Sequence, residues 1–298
     1  MSDEKHIPLV IYHANCWDGF CAAWIARKAL GEIEAYPGYY GQSPPDVTGR
    51  VVYILDFSYP REYMRRVLGQ ARSVVVLDHH KTAQAALDGI VDEFIQRPDL
   101  IASDLKANPH GQELPRVWFD MTKSGGRLAW EFFNRVDGPS PSDSKSPWLV
   151  DYTEDRDLWR HALPFSEEIN AALRSYPLDF ALWDEFHDNV GQREMFKREG
   201  EAIRRAERQI INTHVRNAKE IDLAGHRVLA VNATVLFSEI AGELAKGRPF
   251  GACYFDRQDG KRQWSLRSDE AGLDVSAIAK AYGGGGHVRA AGFEQVIQ

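Results

Sequence analysis

Three aspartates and three histidines close short apolar runs, or follow one closely, in the first 80 residues. His13 ends the run Ile7 to Tyr12, with Asp18 shortly after it; Asp56 ends Val51 to Leu55; and Asp78-His79-His80 ends Val74 to Leu77. Carboxylates suit hard divalent cations such as Mn²⁺ or Mg²⁺, and imidazole suits Mn²⁺ and softer ions. Two such ions about 3.5–4 Å apart can share a bridging carboxylate and clamp both oxygens of an in-line phosphoryl displacement. One aspartate at the end of an apolar run is more often a turn former or a helix cap. Recurrence at three successive run ends favours a metal centre, with Asp56 placed to bridge.

Two further groups point to anions. Gly283-Gly284-Gly285-Gly286 is followed by His287 and Arg289. A glycine run lets backbone N–H groups close on an anion, and Arg267, earlier in the chain, can hold a phosphate through two parallel hydrogen bonds. Lys123-Ser124-Gly125-Gly126 precedes a helical pattern. It is either an anion site at a helix N-terminus or a plain cap beside a solvated lysine.

These side chains need elements to carry them. Gly19 to Leu30 has a small and apolar helical face, and Arg61 to Leu68 reads as a second helix. Together with the three apolar runs they give strand, helix, strand, helix, strand, the rhythm of a parallel sheet covered by helices. In such sheets the site lies at the carboxyl ends of the strands, where His13, Asp56 and Asp78-His79-His80 stand. Arg97 to Pro115 reads as loop, Val117 to Phe119 as a strand, and Gly125 to Asn134 as a helix with Ser124 as N-cap. Gly138 to Ser142 reads as a linker. Pro147 suits the first turn of a helix from Trp148 to Trp159. Met195 to Glu220 reads as one long helix, with Phe196, Ile203 and Ile210 at heptad spacing.

The pattern then restarts. Arg227 to Val231, Gly251 to Phe255 and Gln263 to Arg267 read as strands, the last two joined at Asp259-Gly260. Ser238 to Lys246 and Val275 to Tyr282 read as helices. The expected organisation is α/β: a parallel-sheet domain (1–190), a helical linker (191–222) and a smaller α/β domain (223–298).

Composition narrows the partners. The 298 residues are 44% hydrophobic and 27% charged, an ordinary globular mixture. No apolar stretch is long enough to span a bilayer, so no membrane partner is expected. The start MSDEKHIPLV has no apolar core of a signal peptide. With Cys16, Cys21 and Cys253 as the three cysteines, reduced thiols and a cytoplasmic location are expected. A net charge of -7 argues against coating long duplex DNA and favours short anionic substrates. Oligomeric state stays open, a homo-oligomer included.

The ordered motifs resemble a known family. VVVLDHH (Val74 to His80) carries the Asp-His-His signature of the DHH phosphoesterase superfamily. YHANCWDGFCAAW (Tyr12 to Trp24) and YILDFSYP (Tyr53 to Pro60) are similar to its first and second motifs, and DYTEDRDLW (Asp151 to Trp159) to its fourth. SLRS (Ser265 to Ser268) and GGGGHVRAAGF (Gly283 to Phe293) resemble the DHHA1 substrate-binding domain. The resemblance implies a metal-dependent phosphoesterase with two Mn²⁺ ions, Mg²⁺ or Zn²⁺ being alternatives. By position, His13, Asp18, Asp56, His79 and Asp155 would be the ligands, with Asp151 as an alternative for Asp155. His80 would lie near the reacting phosphate and Asp78 would orient a histidine. Arg267 and His287 would hold the substrate's phosphate or terminal nucleotide, aided by Gly284, Gly285, Gly286 and Arg289, with Lys123 a further candidate. Short oligonucleotides or small nucleotides are the implied substrates. A pyrophosphatase and a catalytically weak nucleotide sensor are the rival readings.

One departure stands out. The family has a carboxylate two residues before Asp18, where this chain has Cys16. A thiol is a soft ligand. Either one metal site is weakened, or the thiolate takes a softer ion such as Zn²⁺, or Cys16 is packing.

Overall fold

The computed structural model describes residues 7–96, 116–136 and 145–297. The loop read from Arg97 to Pro115 and the linker from Gly138 to Ser142 lie outside them. In chain order the elements are β1 (Leu9–His13), α1 (Trp17–Leu30), β2 (Glu34–Gly38), β3 (Val51–Leu55), α2 (Arg61–Gln70), β4 (Ser73–Asp78), α3 (Lys81–Leu87), α4 (Ile90–Gln96), β5 (Arg116–Phe119), α5 (Gly125–Val136), α6 (Trp148–Asp157), α7 (Ser166–Ser175), α8 (Phe180–Asp188) and α9 (Gln192–Asn217). There follow β6 (Lys219–Leu223), β7 (His226–Asn232), α10 (Phe237–Ala245), β8 (Gly251–Asp256), β9 (Lys261–Arg267), α11 (Val275–Ala281), β10 (Gly285–His287) and β11 (Ala290–Val296). No described helix is long and apolar enough to cross a membrane.

By packing, the chain divides into two compact units: residues 1–163 with 176–192, and residues 164–175 with 193–298. The long helix α9, expected as a linker, belongs almost wholly to the second unit, together with α7.

The first unit is built on a five-stranded parallel sheet in the order β2-β1-β3-β4-β5. Strand alternation sends Ile11, Ile54 and Val76 to one face, against Met64, Val67 and Leu68 of α2. On the opposite face Tyr53 meets Phe132 and Phe133 of α5. Burial on both faces explains why these strands read as continuous apolar runs. Strand β2 escapes that pattern. It is short, lies at the sheet edge and contains Pro37, which only an edge strand tolerates.

The second unit holds a six-stranded sheet, β10-β11-β9-β8-β7-β6, antiparallel except for β7 with β8. Phe250, Trp264, Leu266, Val275 and Phe293 fill one core cluster. Helix α9 buries Phe196 and Ile211, whereas Ile210 is 40% exposed. A straight α-helix drifts by about 20° per heptad, so the inward position moves on by one residue and the heptad reading fails there. At the C-terminus, part of the glycine run is strand: Gly285, Gly286 and His287 pair with β11. A Cβ at Gly284 would lie 2.1 Å from the Gly292 carbonyl oxygen, so glycine there admits β11.

Candidate metal centre and its surroundings

Strands β1, β3 and β4 end side by side, and their last residues converge. The Nε2 of His79 lies 2.8 Å from Asp56 Oδ1, 3.5 Å from Asp18 Oδ2 and 3.6 Å from Asp157 Oδ2. The Nδ1 of His13 lies 3.3 Å from Asp56 Oδ2. Within the first unit two sets of donors arise among the described residues, each set within 4.8 Å mutually: Asp18, Asp56 and His79; and His13, Asp56 and His80. Asp56 belongs to both.

The backbone works to hold this geometry. Asp56 has φ 55°, a left-handed conformation uncommon for a non-glycine residue. Its N–H donates to the Leu77 carbonyl at 2.8 Å, which ties the turn after β3 to β4. Strain of this kind persists where surroundings over-determine it, and it gathers at functional sites. Asp18 sits in the first turn of α1 and is clamped from another element: Gly125 N–H donates to its Oδ2 at 2.5 Å and Gly126 N–H to its Oδ1 at 3.0 Å. The anion at this helix N-terminus is thus the chain's own carboxylate. A Cβ on Gly125 would come within 2.4 Å of Asp56 Cβ, so glycine is required for the approach. Lys123, a candidate anion contact in the sequence, pairs with Glu131 at 2.7 Å and Asp120 at 3.3 Å.

Asp78 is fully buried and holds its neighbours. Its Oδ2 accepts from Ser58 Oγ at 2.6 Å, its Oδ1 accepts from the His79 and His80 N–H groups, and His80 Nδ1 lies 2.7 Å from Oδ1. The arrangement fixes the His80 ring orientation.

Of the fourth-motif aspartates, Asp157 lies beside His79 at 3.6 Å. Asp155 Oδ1 accepts from Ala162 N–H at 2.9 Å and its Oδ2 from Leu163 N–H at 3.3 Å, closing the turn after α6. Asp151 pairs with Arg127 at 2.6 Å and with Ser146 Oγ at 2.5 Å. None of Asp155, Asp151 and Asp157 stands in the donor sets above, and of the three Asp157 faces His79. The physical reason is where α6 stops. It ends at Asp157, and the chain then turns through left-handed Trp159 and His161, so helical spacing is no guide to the last residue.

Electrostatics fit a cation. Burial pushes Asp18 well above the ordinary carboxylate range, and the charges of Asp56 and Asp157 add to it. Asp157 is raised chiefly by burial. Burial opposes ionisation of Asp56 too, but the His13 and His79 imidazoles beside it hold it well below its usual value. Burial would lower His79, yet Asp56, Asp157 and Asp18 outweigh it and carry it up to about 10. Three crowded carboxylates thus compete for one imidazole. Asp56 Oδ2, Asp157 Oδ2 and His13 Nδ1 are buried and make no hydrogen bond among the described residues. Oxygen-rich donors with unused lone pairs, plus imidazole, fit Mn²⁺ or Mg²⁺. Cys16 precedes α1, and its thiol is pushed well up by burial and then by Asp56, Asp157 and Asp18. It therefore lies in the field of the same carboxylates rather than in the apolar core.

In the second unit, Arg267 is anchored through Nη2 to Ser238 Oγ of α10 at 2.6 Å and through Nη1 to the Leu266 carbonyl of its own strand at 2.8 Å. Arg289 faces Glu270 at 3.5 Å. His287 ends β10.

No protein-family model matches the chain. It is 27% identical to the uncharacterized protein R106 of Acanthamoeba polyphaga mimivirus, over 97% of this chain and 68% of that protein. Over 113 residues it is 33% identical to oligoribonuclease NrnB of Bacillus subtilis, a match of 37% of this chain and only 26% of NrnB. Among solved structures, the DHH domain of PF0399, a member of the s1p family of ribosomal proteins, is similar with a TM-score of 0.57 at 12% identity, covering 98% of this chain and 83% of that one. The pGpG-specific phosphodiesterase PggH of Vibrio cholerae has a TM-score of 0.48 at 14% identity, covering 98% and 94%. The fold is that of a DHH protein. Asp78 ends β4 and His79 and His80 follow it directly, so the Asp-His-His run read from the sequence stands at the carboxyl edge of the parallel sheet.

Proposed function

We propose that this chain is a metal-dependent phosphoesterase acting on short oligonucleotides or small nucleotides. The observation that carries the reading is Asp56, shared by two sets of three donors at the carboxyl ends of parallel strands. Two ions close enough to clamp a phosphoryl displacement can share such a carboxylate. The partial match to an oligoribonuclease supports the substrate class, as does the acidic net charge of -7.

Asp18, Asp56, Asp157 and His79 would hold one ion, and Asp56 with His13 the other; Mn²⁺ is the proposed metal, with Mg²⁺ or Zn²⁺ as alternatives. Bound there, the ions would polarise phosphoryl oxygens and make water nucleophilic at neutral pH. His80, aimed by Asp78, would steady the phosphate or protonate the leaving oxygen. Gly125 and Gly126 keep Asp18 from swinging out. Arg267, His287, Arg289 and the glycines 284–286 would bind the substrate's far phosphate, making the second unit a DHHA1-like substrate-binding domain.

The test is a substrate panel with added Mn²⁺, Mg²⁺ or Zn²⁺: linear and cyclic dinucleotides, 3′-phosphoadenosine phosphate, a long single strand and pyrophosphate. Turnover concentrated on the short nucleotides is expected. Turnover of none of the nucleotides in any metal would overturn the proposal, and turnover of pyrophosphate alone would replace it.

A further inference from the structure

Tyr40 has no part in the donor sets, yet it stands over one of them. It follows the edge strand β2, whose last residue, Gly38, pairs with His13. A Cβ on Gly38 would lie 3.0 Å from Ile11 and 3.1 Å from the Phe57 ring, so glycine lets the chain pass close there. A turn follows, in which Gln42 N–H donates to the Tyr39 carbonyl and Gly41 takes φ +82°. This turn presses the Tyr40 ring onto Phe57 at 4.9 Å between centroids, onto His13 edge-on at 5.2 Å, and towards His80 at 6.3 Å. Even so, 55% of Tyr40 is exposed. One side of the ring is braced by aromatic neighbours, and the rest faces solvent beside two donors of the centre.

Packing on Phe57 and His13 accounts for one side of the ring and leaves the exposed part open to a ligand. A phosphate held at the His13, Asp56 and His80 donors brings its ester substituent beside Tyr40. For a nucleotide that substituent carries a base, and every base offers a π-face to an aromatic ring. Inorganic phosphates offer none. Resting on the proposed phosphoesterase reading, we propose that Tyr40 is the stacking platform for the nucleobase next to the scissile phosphate, and thereby selects nucleosidic over inorganic substrates.

The experiment compares the unmodified protein with Tyr40→Phe and Tyr40→Ala. The substrates are a dinucleotide and the same dinucleotide made abasic at either position. Tyr40→Ala should lower kcat/KM for the dinucleotide on the order of tenfold, mainly through KM. Tyr40→Phe should keep it, and on one of the abasic substrates the three proteins should agree. An unchanged dinucleotide rate in Tyr40→Ala would overturn the proposal. So would an equal loss on both abasic substrates, or a Tyr40→Phe as impaired as Tyr40→Ala. Should the unmodified protein turn over no nucleotide, the parent reading fails, and calorimetric binding of adenosine monophosphate against inorganic phosphate still decides the role of Tyr40. Weakened binding of the nucleotide alone in Tyr40→Ala supports the platform; equal effects on both ligands overturn it.

Discussion

Asp56 Oδ1 and His79 Nε2 lie 2.8 Å apart, and both side chains are 1% exposed. The other oxygen of Asp56 is turned to His13. One carboxylate thus spans both donor sets, and no other residue belongs to both. Asp56→Ala should therefore lose both ions together. Metal content after dialysis against Mn²⁺ should drop to background, and hydrolysis with it, while circular dichroism keeps the fold. Retention of one ion at full affinity would show that the two sets are independent.

Asp157 and Asp155 should separate chemistry from stability. Asp157→Asn should lower metal affinity strongly and leave thermal stability nearly unchanged. Asp155→Ala removes the acceptor of two buried-side N–H groups, which costs about 1–3 kcal/mol for groups left unsatisfied. Its signature should be a lower urea midpoint with near-normal metal content. The reverse pattern would return the fourth-motif ligand to Asp155.

Cys16 gives a prediction about metal preference. Its thiol shares the field of Asp18, Asp56 and Asp157, and a hard oxygen there would suit Mn²⁺ better than sulfur. Cys16→Asp should raise the affinity for the weaker of two Mn²⁺ ions, read by stoichiometric titration, and lower any preference for Zn²⁺. Identical titrations for the unmodified protein, Cys16→Asp and Cys16→Ala would mean that the thiol has no part in the centre.

A fourth prediction concerns pH. Trp24 Nε1 donates to Asp184 Oδ1 at 2.8 Å and Arg27 donates to Oδ2 at 2.7 Å. Burial works against the ionised carboxylate, but these hydrogen bonds and the Arg27 charge hold Asp184 below its ordinary value of 3.8. A depressed carboxylate stabilises the fold above its unfolded pKa and loses that contribution as pH falls through the folded one. Asp184→Ala should cost about 1–3 kcal/mol at pH 7, because the fully buried Trp24 indole loses its acceptor. Asp184→Asn, which removes only the charge, should cost less. The gap between Asp184→Asn and the unmodified protein should be constant above about pH 5 and close below about pH 4. A gap that stays constant in acid would rule out the ionised carboxylate as its source.

Much of this was readable from the sequence, for a physical reason. A parallel strand covered on both faces must be apolar throughout, so the polar residue that ends it is conspicuous. That is how His13, Asp56 and Asp78-His79-His80 could be found. Asp18 was visible through its motif, but its clamp was not, because Gly125 and Gly126 reach it across 107 and 108 residues. Edge strand β2, with Pro37, has no such pattern, and Tyr40 hangs from it. Asp157 was overshadowed because Asp155 sits at the motif position, while the left-handed residues Trp159 and His161 that follow α6 leave little trace in residue types. The glycines 284–286 announced close backbone approach, and the partner was β11.

The clamp on Asp18 also orders events in time. Helix α1 can form early, from local contacts, but Asp18 is fixed only when the N-terminus of α5 arrives from more than a hundred residues away. Loop closure of that length precedes any reward from the contact. A chain emerging from the ribosome would carry His13, Asp18, Asp56, His79 and His80 well before Gly125, with their side chains not yet held in register. Cation capture at the proposed centre would then be a late step, coupled to the docking of α5, and a bound ion would act as a latch on that docking rather than as a seed for the sheet.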